Sequence, residues 1–504
     1  MNRAEAFAWL CRQYREIALL QSSADTLEWD ERTGLPAAAG DYRADQVTLL
    51  RGLIHQRRTD PRIGETLLKL RETPEARDRE SDFGVTVERL REDYERDVRL
   101  PQTLVESLAR ATLVGQQRWD AARQADDFAQ FQTALTTIID LKRDEAAHLQ
   151  RGEQTLYDAL LHEFEPGASA AELQPLFAEL RDQLVPLVQQ VTAAPHQPDI
   201  GWLQRSLPVE RQRRFSHFAA TASGFDFSRG RLDETSHPFC TNLGPDDCRI
   251  LSRYDEHWFP GGLFGTLHEA GHGMYEQGLR RDWYGLPPGS FCSLGIHESQ
   301  SRLWENLVGR SLGYWRFLLP HAQQAFPSAL ADLSLDQLHF AVNLVRPSLI
   351  RVEADEATYN LHIIIRFELE QQLLSGALAV ADLPEAWDAA YQAGLGISAP
   401  SAADGVLQDV HWSAGLFGYF PTYTLGNLYA AQLFHAAEQQ LGDLEKAFAA
   451  GEFGPLRGWL RERIHAPGRR WAPAELITRA TGETLQTGPL INSLRDRYGK
   501  LYRL

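Results

Sequence analysis

Over residues 1 to about 230 the chain reads as one amphipathic helix after another, and that run restricts it to folds built from packed helices. The first segment, 4–20, places Phe7, Leu10, Cys11, Tyr14, Ile17 and Ala18 on one stripe, the spacing of a helix with a single buried face. Comparable segments follow at 44–58, 65–72, 83–99, 102–125, 128–152, 156–164, 170–194 and 207–224. Pro36, Pro61, Pro74 and Pro101 punctuate them, because proline lacks the N–H that a helix interior needs. The many Arg and Glu residues here read as solvated faces, so no chemistry is assigned to this half.

A chain of 504 residues can bury a large core, and 43% hydrophobic with 24% charged residues is ordinary globular composition. The net charge of −17 argues against a nucleic-acid partner, which would need a basic footprint. Four cysteines are few for a disulfide-stabilised chain of this length, so the expected compartment is the cytoplasm. Cys240 and Cys248 lack the C-x-x-C spacing of a zinc knuckle. Residues 1–16 hold no apolar run, so no signal peptide is expected. No stretch of about 20 uncharged apolar residues occurs, so no membrane span is expected.

The pattern changes after Phe225. His237-Pro238-Phe239 is expected to be extended, since proline pushes the preceding residue out of the helical region. Gly244-Pro245-Asp246-Asp247 is turn chemistry, and 249–254 reads as a strand, giving a candidate hairpin. On such a strand Arg249, Leu251 and Arg253 share a face. Two arginines there fit either an anion site or a charge-guarded edge.

The strongest chemical signal follows. His268-Glu269-Ala270-Gly271-His272 is an H-E-x-x-H pattern in a segment whose apolar residues recur every three or four positions. On a helix, residues four apart share a face, so both imidazoles can meet one metal ion. Glu269 stands about 100° around the axis, off the metal direction but within reach of a water held there. A third ligand is expected on the next helix, where Glu298 lies 26 residues beyond His272; Glu276, Glu305 and His297 are the alternatives. The longer H-E-x-x-H-x-x-G-x-x-H pattern fails at Tyr275.

A mostly apolar helix is expected over 349–370, with Arg351, Asp355, Thr358 and His362 as its polar stripe. A polar stripe on a buried helix must meet partners. Arg351 is then either paired with Asp355 or clamping a carboxylate in a cleft. Residues 405–423 are dense in His, Trp and Tyr beside glycines, before a helix from about 425 to 441. Aromatic residues usually fill cores, but a His and a Tyr next to glycines also suit an oxyanion.

Taken together, His237-Pro238-Phe239, Asp247-x-Arg249, His268-Glu269-x-x-His272, His297-Glu298-Ser299-Gln300, Ile350-Arg351-x-x-Ala354-Asp355 and Gly405-x-x-Gln408-Asp409-x-His411-Trp412 resemble the ordered signature motifs of the carboxypeptidase Taq family of thermostable metallocarboxypeptidases. They cover residues 237–412; the first 230 fit by length and helical character. The resemblance implies a mainly α, groove-containing fold like that of neurolysin and angiotensin-converting enzyme, with a small β-hairpin or sheet near the active site. It implies one peptidase domain over 1–504, with an N-terminal helical lobe (1–230) and a metal-binding catalytic lobe (231–504), usually a homodimer. It also implies one divalent metal per chain, zinc or alternatively cobalt, on His268, His272 and Glu298, with Glu269 as general base. Tyr423 and His411 would meet the oxyanion, with Tyr419 as fallback for Tyr423. Arg351 and Arg249, with His237 and Gln408 from the same motifs, would contact a peptide that has a free C-terminus. Leu251 stands where the family pattern has Thr, which would remove a hydroxyl beside the carboxylate pocket. The competing expectations are an oligoendopeptidase of the same helical class and a non-catalytic, metal-stabilised peptide-binding scaffold.

Overall fold

The computed structural model describes residues 2–504, apart from the side chain of residue 37; residue 1 of the expected N-terminal lobe lies outside them. The fold is mainly helical with one small sheet. Contacts divide it into two compact units of interleaved segments: Met1–Val98, Asp199–Val342 and Leu433–Thr484 form the first, and Arg99–Pro198, Asn343–Gln432 and Leu485–Leu504 the second.

The apolar stripe of the first helix does what its spacing predicts. Within Arg3–Thr33, Leu10, Cys11, Tyr14 and Ile17 are buried against Ile54, Ile63, Leu67, Leu70 and Leu90 of the same unit. That helix continues 13 residues past the expected end at Leu20, since nothing between Leu20 and Thr33 breaks it. Gln102–Ala125 and Leu156–Phe164 match the expected limits, the latter closed at its start by a reciprocal Thr155–Asp158 capping box.

The expected hairpin is part of a three-stranded sheet in the first unit. Its strands are β1 (Gly230–Glu234), β2 (Cys240–Asn242) and β3 (Cys248–Ser252), in the order β1-β3-β2. β2 runs antiparallel to β3 with Thr241 opposite Arg249; β1 is parallel, with Leu232 opposite Ile250. The strand ends two residues before Tyr254, so Arg253 lies beyond it and is exposed rather than sharing a face with Arg249. β3 is central, and Leu251 is fully buried at 0% exposure, so the methyl-rich side chain fills core.

The helix Phe259–Gly278 packs on β3. Two of its glycines are there for close approach. A Cβ on Gly273 would collide with the Phe225 ring, and one on Gly271 would sit 2.5 Å from the Gln300 carbonyl oxygen. The helix Leu294–Arg302 therefore lies backbone to backbone against Gly271, with Ser293 capping its start.

In the second unit, the expected helix over 349–370 begins later, at Glu356, and runs to Ser375. Asp355 is its N-cap: one carboxylate oxygen accepts the N–H groups of Ala357 and Thr358 (3.0 Å each), and the other accepts the Thr358 hydroxyl (2.7 Å). Arg351 lies in a separate short turn, Arg351–Glu353, so the polar stripe from Arg351 to His362 does not exist as one helix face. A helix also fills Leu383–Leu395, and the helix expected from about 425 starts at Pro421.

Candidate active site

The helix Phe259–Gly278 presents His268 and His272 one turn apart, with ring centroids 4.9 Å from each other. Leu294–Arg302 supplies Glu298 opposite them. The Nε2 atoms of His268 and His272 lie 3.6 and 3.4 Å from Glu298 Oε2. Among the described residues these three form the one group of His, Cys, Asp and Glu whose donor atoms converge, all within 4.8 Å. Ligands about 2.0–2.1 Å from a tetrahedral ion stand about 3.3 Å apart, so two imidazole nitrogens and a carboxylate oxygen at these separations fit a divalent metal. Beside them Glu269 is buried, and its Oε2 has no hydrogen-bond partner. A buried carboxylate oxygen left unpaired is costly unless something else meets it. Burial pushes the Glu269 carboxyl up to about 7, with Glu298 and Glu305 adding to the rise and His268 opposing it.

The three alternatives for the third ligand all lie one step outward. Glu305 Oε2 accepts from His268 Nδ1 at 2.9 Å. It reaches there because the chain widens into a π-helical turn over Leu303–Val308, directly after the helix that carries Glu298. His297 Nδ1 is 2.5 Å from His272 Nδ1, and Glu276 Oε1 is 2.9 Å from His297 Nε2. Arg302 ties the acidic groups together, donating to Glu298 at 2.7 Å and to Glu305 at 3.2 Å. Burial alone would raise both carboxyls, but Arg302 and the histidines hold Glu298 well below the usual range and Glu305 at about 2. Cys240 and Cys248 have their sulfurs 3.7 Å apart and are free thiols.

The second unit gathers Arg351, Asp409, His411, Tyr419 and Tyr423. Arg351 does not pair with Asp355, which is occupied as a cap. Its Nε donates to Asp409 Oδ1 at 2.9 Å, its Nη2 lies 2.9 Å from the same oxygen, and its Nη1 donates to the Tyr359 hydroxyl at 2.9 Å. Asp409 Oδ2 accepts from Arg366 at 2.6 Å, so one carboxylate serves two buried guanidiniums. His411 Nε2 pairs with the Tyr423 hydroxyl at 3.1 Å, and its ring lies 5.4 Å from Tyr419. Burial, then the Arg351 charge, pushes His411 down to about 3 and keeps it neutral. The cluster of two arginines, Asp409 and a neutral His411 thus carries a surplus positive charge.

The other expected contacts are placed differently. Gln408 is engaged by protein at both ends of its amide: Oε1 accepts from Arg351 N (2.9 Å), and Nε2 donates to the carbonyls of Leu349 and Asp404 (3.0 Å each). In the first unit, the Arg249 guanidinium forks onto Asp247 (2.9 and 2.8 Å) and stacks over Trp29 at 4.1 Å. His237 is exposed on the connection between β1 and β2. Sequence reasoning missed Arg366; the available signal was an arginine directly after Ile363-Ile364-Ile365 and before Phe367, where a charge needs a partner.

Known proteins resemble this chain over nearly its whole length. The carboxypeptidase Taq (M32) metallopeptidase family matches residues 10–498. The chain is 49% identical over its whole length to thermostable carboxypeptidase 1 of Thermus thermophilus, covering all of that protein. It is 39% identical to carboxypeptidase 1 of Bacillus subtilis, over 97% of each. The crystal structure of the M32 carboxypeptidase of Deinococcus radiodurans superposes with a TM-score of 0.96 at 42% identity, over 99% of this chain and 100% of that one.

Proposed function

We propose the following division of labour for this chain, which belongs to the carboxypeptidase Taq (M32) family and is a metal-dependent carboxypeptidase acting on peptides. His268, His272 and Glu298 hold one divalent ion, zinc by the nitrogen-rich donor set, with cobalt as the alternative. Such an ion polarises a carbonyl and lowers the pKa of water towards about 7. Glu269 acts as general base: its unpartnered Oε2 takes a proton from the attacking water and returns it to the leaving amine nitrogen. Tyr423, oriented by neutral His411, donates its hydroxyl hydrogen to the developing oxyanion, and Tyr419 is the alternative donor.

Arg351 takes the free C-terminal carboxylate of the peptide. A guanidinium has five N–H groups; Nε donates to Asp409 and Nη1 to Tyr359, while Nη2 lies within ion-pair distance of Asp409. Both terminal nitrogens keep an N–H to offer, and two parallel N–H groups match a carboxylate. The surplus charge from Arg366 favours an anion there. Arg249 and His237 are weaker candidates for substrate contact, and Gln408 serves by holding the Arg351 backbone. Supporting readings are a single peptidase domain over 1–504, a homodimer, no nucleic-acid partner, and a cytoplasmic setting in keeping with four free thiols. Among the described residues no helix is long and apolar enough to cross a membrane.

The observation that carries this reading is the convergence of His268, His272 and Glu298 beside an unpaired Glu269 oxygen. Its test is hydrolysis of an N-blocked dipeptide as free acid and as amide. Turnover of the free acid alone is expected. Equal turnover of both, with cuts inside longer blocked peptides, would favour the oligoendopeptidase; binding without turnover would favour the scaffold.

A further inference from the structure

We propose that His297 and Glu276 are positioning residues that fix the orientation and tautomer of His272 through a histidine–histidine–carboxylate relay. The proposal rests on His272 being a metal ligand through Nε2.

The protons can be followed one bond at a time. A neutral imidazole that offers Nε2 to a metal carries its hydrogen on Nδ1. His272 Nε2 is the atom turned to Glu298, at 3.4 Å. Its Nδ1 therefore donates, and the atom that receives is His297 Nδ1 at 2.5 Å. Two imidazole nitrogens at that separation must be one donor and one acceptor. His297 consequently keeps its hydrogen on Nε2, which faces Glu276 Oε1 at 2.9 Å. The other oxygen, Glu276 Oε2, accepts from Asn242 Nδ2 at 2.6 Å. A single assignment satisfies every bond from the ligand atom to β2.

His268 solves the same problem in one step, with Glu305 directly on its Nδ1 at 2.9 Å. Each ligand histidine thus ends at a carboxylate, one directly and one through an intervening ring. The reason is positional. Glu276 is one turn beyond His272 on the same helix, and the facing helix inserts one side chain between them. That side chain is His297, the immediate neighbour of Glu298, so Leu294–Arg302 delivers both a ligand and a ligand's support. His297 is also held as a ring. Tyr275 and Phe291 flank it at centroid distances of 5.2 and 5.0 Å, and the side chains of His297 and Glu276 are 12% and 9% exposed. Little water competes for these bonds. Both ring nitrogens are committed away from the three converging donors, so His297 is not itself placed to ligate.

The test uses the zinc-loaded full-length chain and reads metal retention as well as activity. Loss of a group that supports a metal ligand typically weakens metal binding by about 10–100-fold. His297→Phe keeps a flat ring without acceptor or donor and should release zinc to a chromogenic chelator within that range faster or more completely than wild type. Glu276→Gln keeps the shape but removes the charge and should fall in the same direction. His297→Gln can still accept at one end and donate at the other, and should recover much of the loss. With cobalt in place of zinc, the visible absorption should keep its shape in these variants, because the number of ligands is unchanged. Metal-free variants should melt with metal-free wild type. Zinc held as tightly as in wild type by both His297→Phe and Glu276→Gln would overturn the relay. So would an equal drop in melting temperature with and without metal, which would mean a structural role. His272→Ala separates the two readings. If it loses zinc while the relay variants do not, only the relay fails. If it retains wild-type affinity, the ligand assignment fails and the relay with it.

Discussion

Replacing Arg351 by Lys removes geometry while leaving charge, which makes it the sharpest probe of how the peptide's end is gripped. The guanidinium holds Asp409 through Nε and Tyr359 through Nη1, and keeps N–H groups on both terminal nitrogens. An ammonium has three hydrogens on one atom and cannot face Asp409 and also present a fork. At least one charged hydrogen bond to the substrate carboxylate is lost. Such bonds are worth about 1.5–3 kcal/mol, so a loss of about 2 kcal/mol, roughly a 30-fold fall in kcat/KM, is expected for a free-acid dipeptide. Arg351 also steadies Asp409, so the substitution costs some order in the cluster for every substrate. The decisive quantity is therefore a ratio: kcat/KM for the free-acid peptide over that for any residual cleavage of its amide. Wild type should have a large ratio, and Arg351→Lys should shrink it by the same 30-fold. An unchanged ratio, with both substrates losing equally, would refute the clamp and leave Arg351 as a structural partner of Asp409.

Two further outcomes follow from burial. His465 is buried with Nε2 against Gln300 Oε1 at 3.0 Å, and burial, then the charge of Arg461, push its pKa down to about 3. The unfolded chain takes up a proton that the native state refuses, so its contribution to stability falls as pH drops from about 6.5 towards 3, by at most about 1.4 kcal/mol per pH unit; melting curves at pH 8, 6 and 4 should show a flatter decline in His465→Gln, and an unchanged slope would contradict this. Leu251→Thr should lower the urea midpoint by the equivalent of about 2–4 kcal/mol, because it opens a cavity and buries a hydroxyl, while the ranking of C-terminal residues cleaved stays as in wild type; a changed ranking with little loss of stability would place Leu251 at the substrate.

What the sequence revealed, and what it concealed, follows the range of the interactions. The helix carrying His268 and His272 was legible because both its apolar period and its ligand spacing are local. Glu298 was legible as a carboxylate on the next helix, yet nothing local separated it from Glu276, Glu305 and His297. Their order around His268 and His272 depends on how Gly271 lets two backbones meet and on the π-helical turn after Arg302. The Arg351–Asp355 stripe failed because Asp355-x-x-Thr358 is a capping pattern: aspartate competes for backbone N–H groups and starts a helix instead of sitting inside one. β1 was missed because Gly230-Arg231-Leu232-Asp233-Glu234 has no apolar alternation; it is recruited by parallel pairing with β3. Asp409 stood in a recognised motif, but its role between Arg351 and Arg366 joins residues 43 and 58 positions apart, a distance that periodicity does not span.

The central claim is that Glu269 moves the proton at a metal site it does not help to bind. The measurement that tests it most directly is kcat of Glu269→Gln on a free-acid dipeptide, taken with the metal content of the same sample. The amide keeps the shape of the side chain and is a poor proton acceptor, so one equivalent of metal should remain while kcat falls by about 10²–10⁴-fold. One equivalent of metal with near-normal kcat would contradict the account.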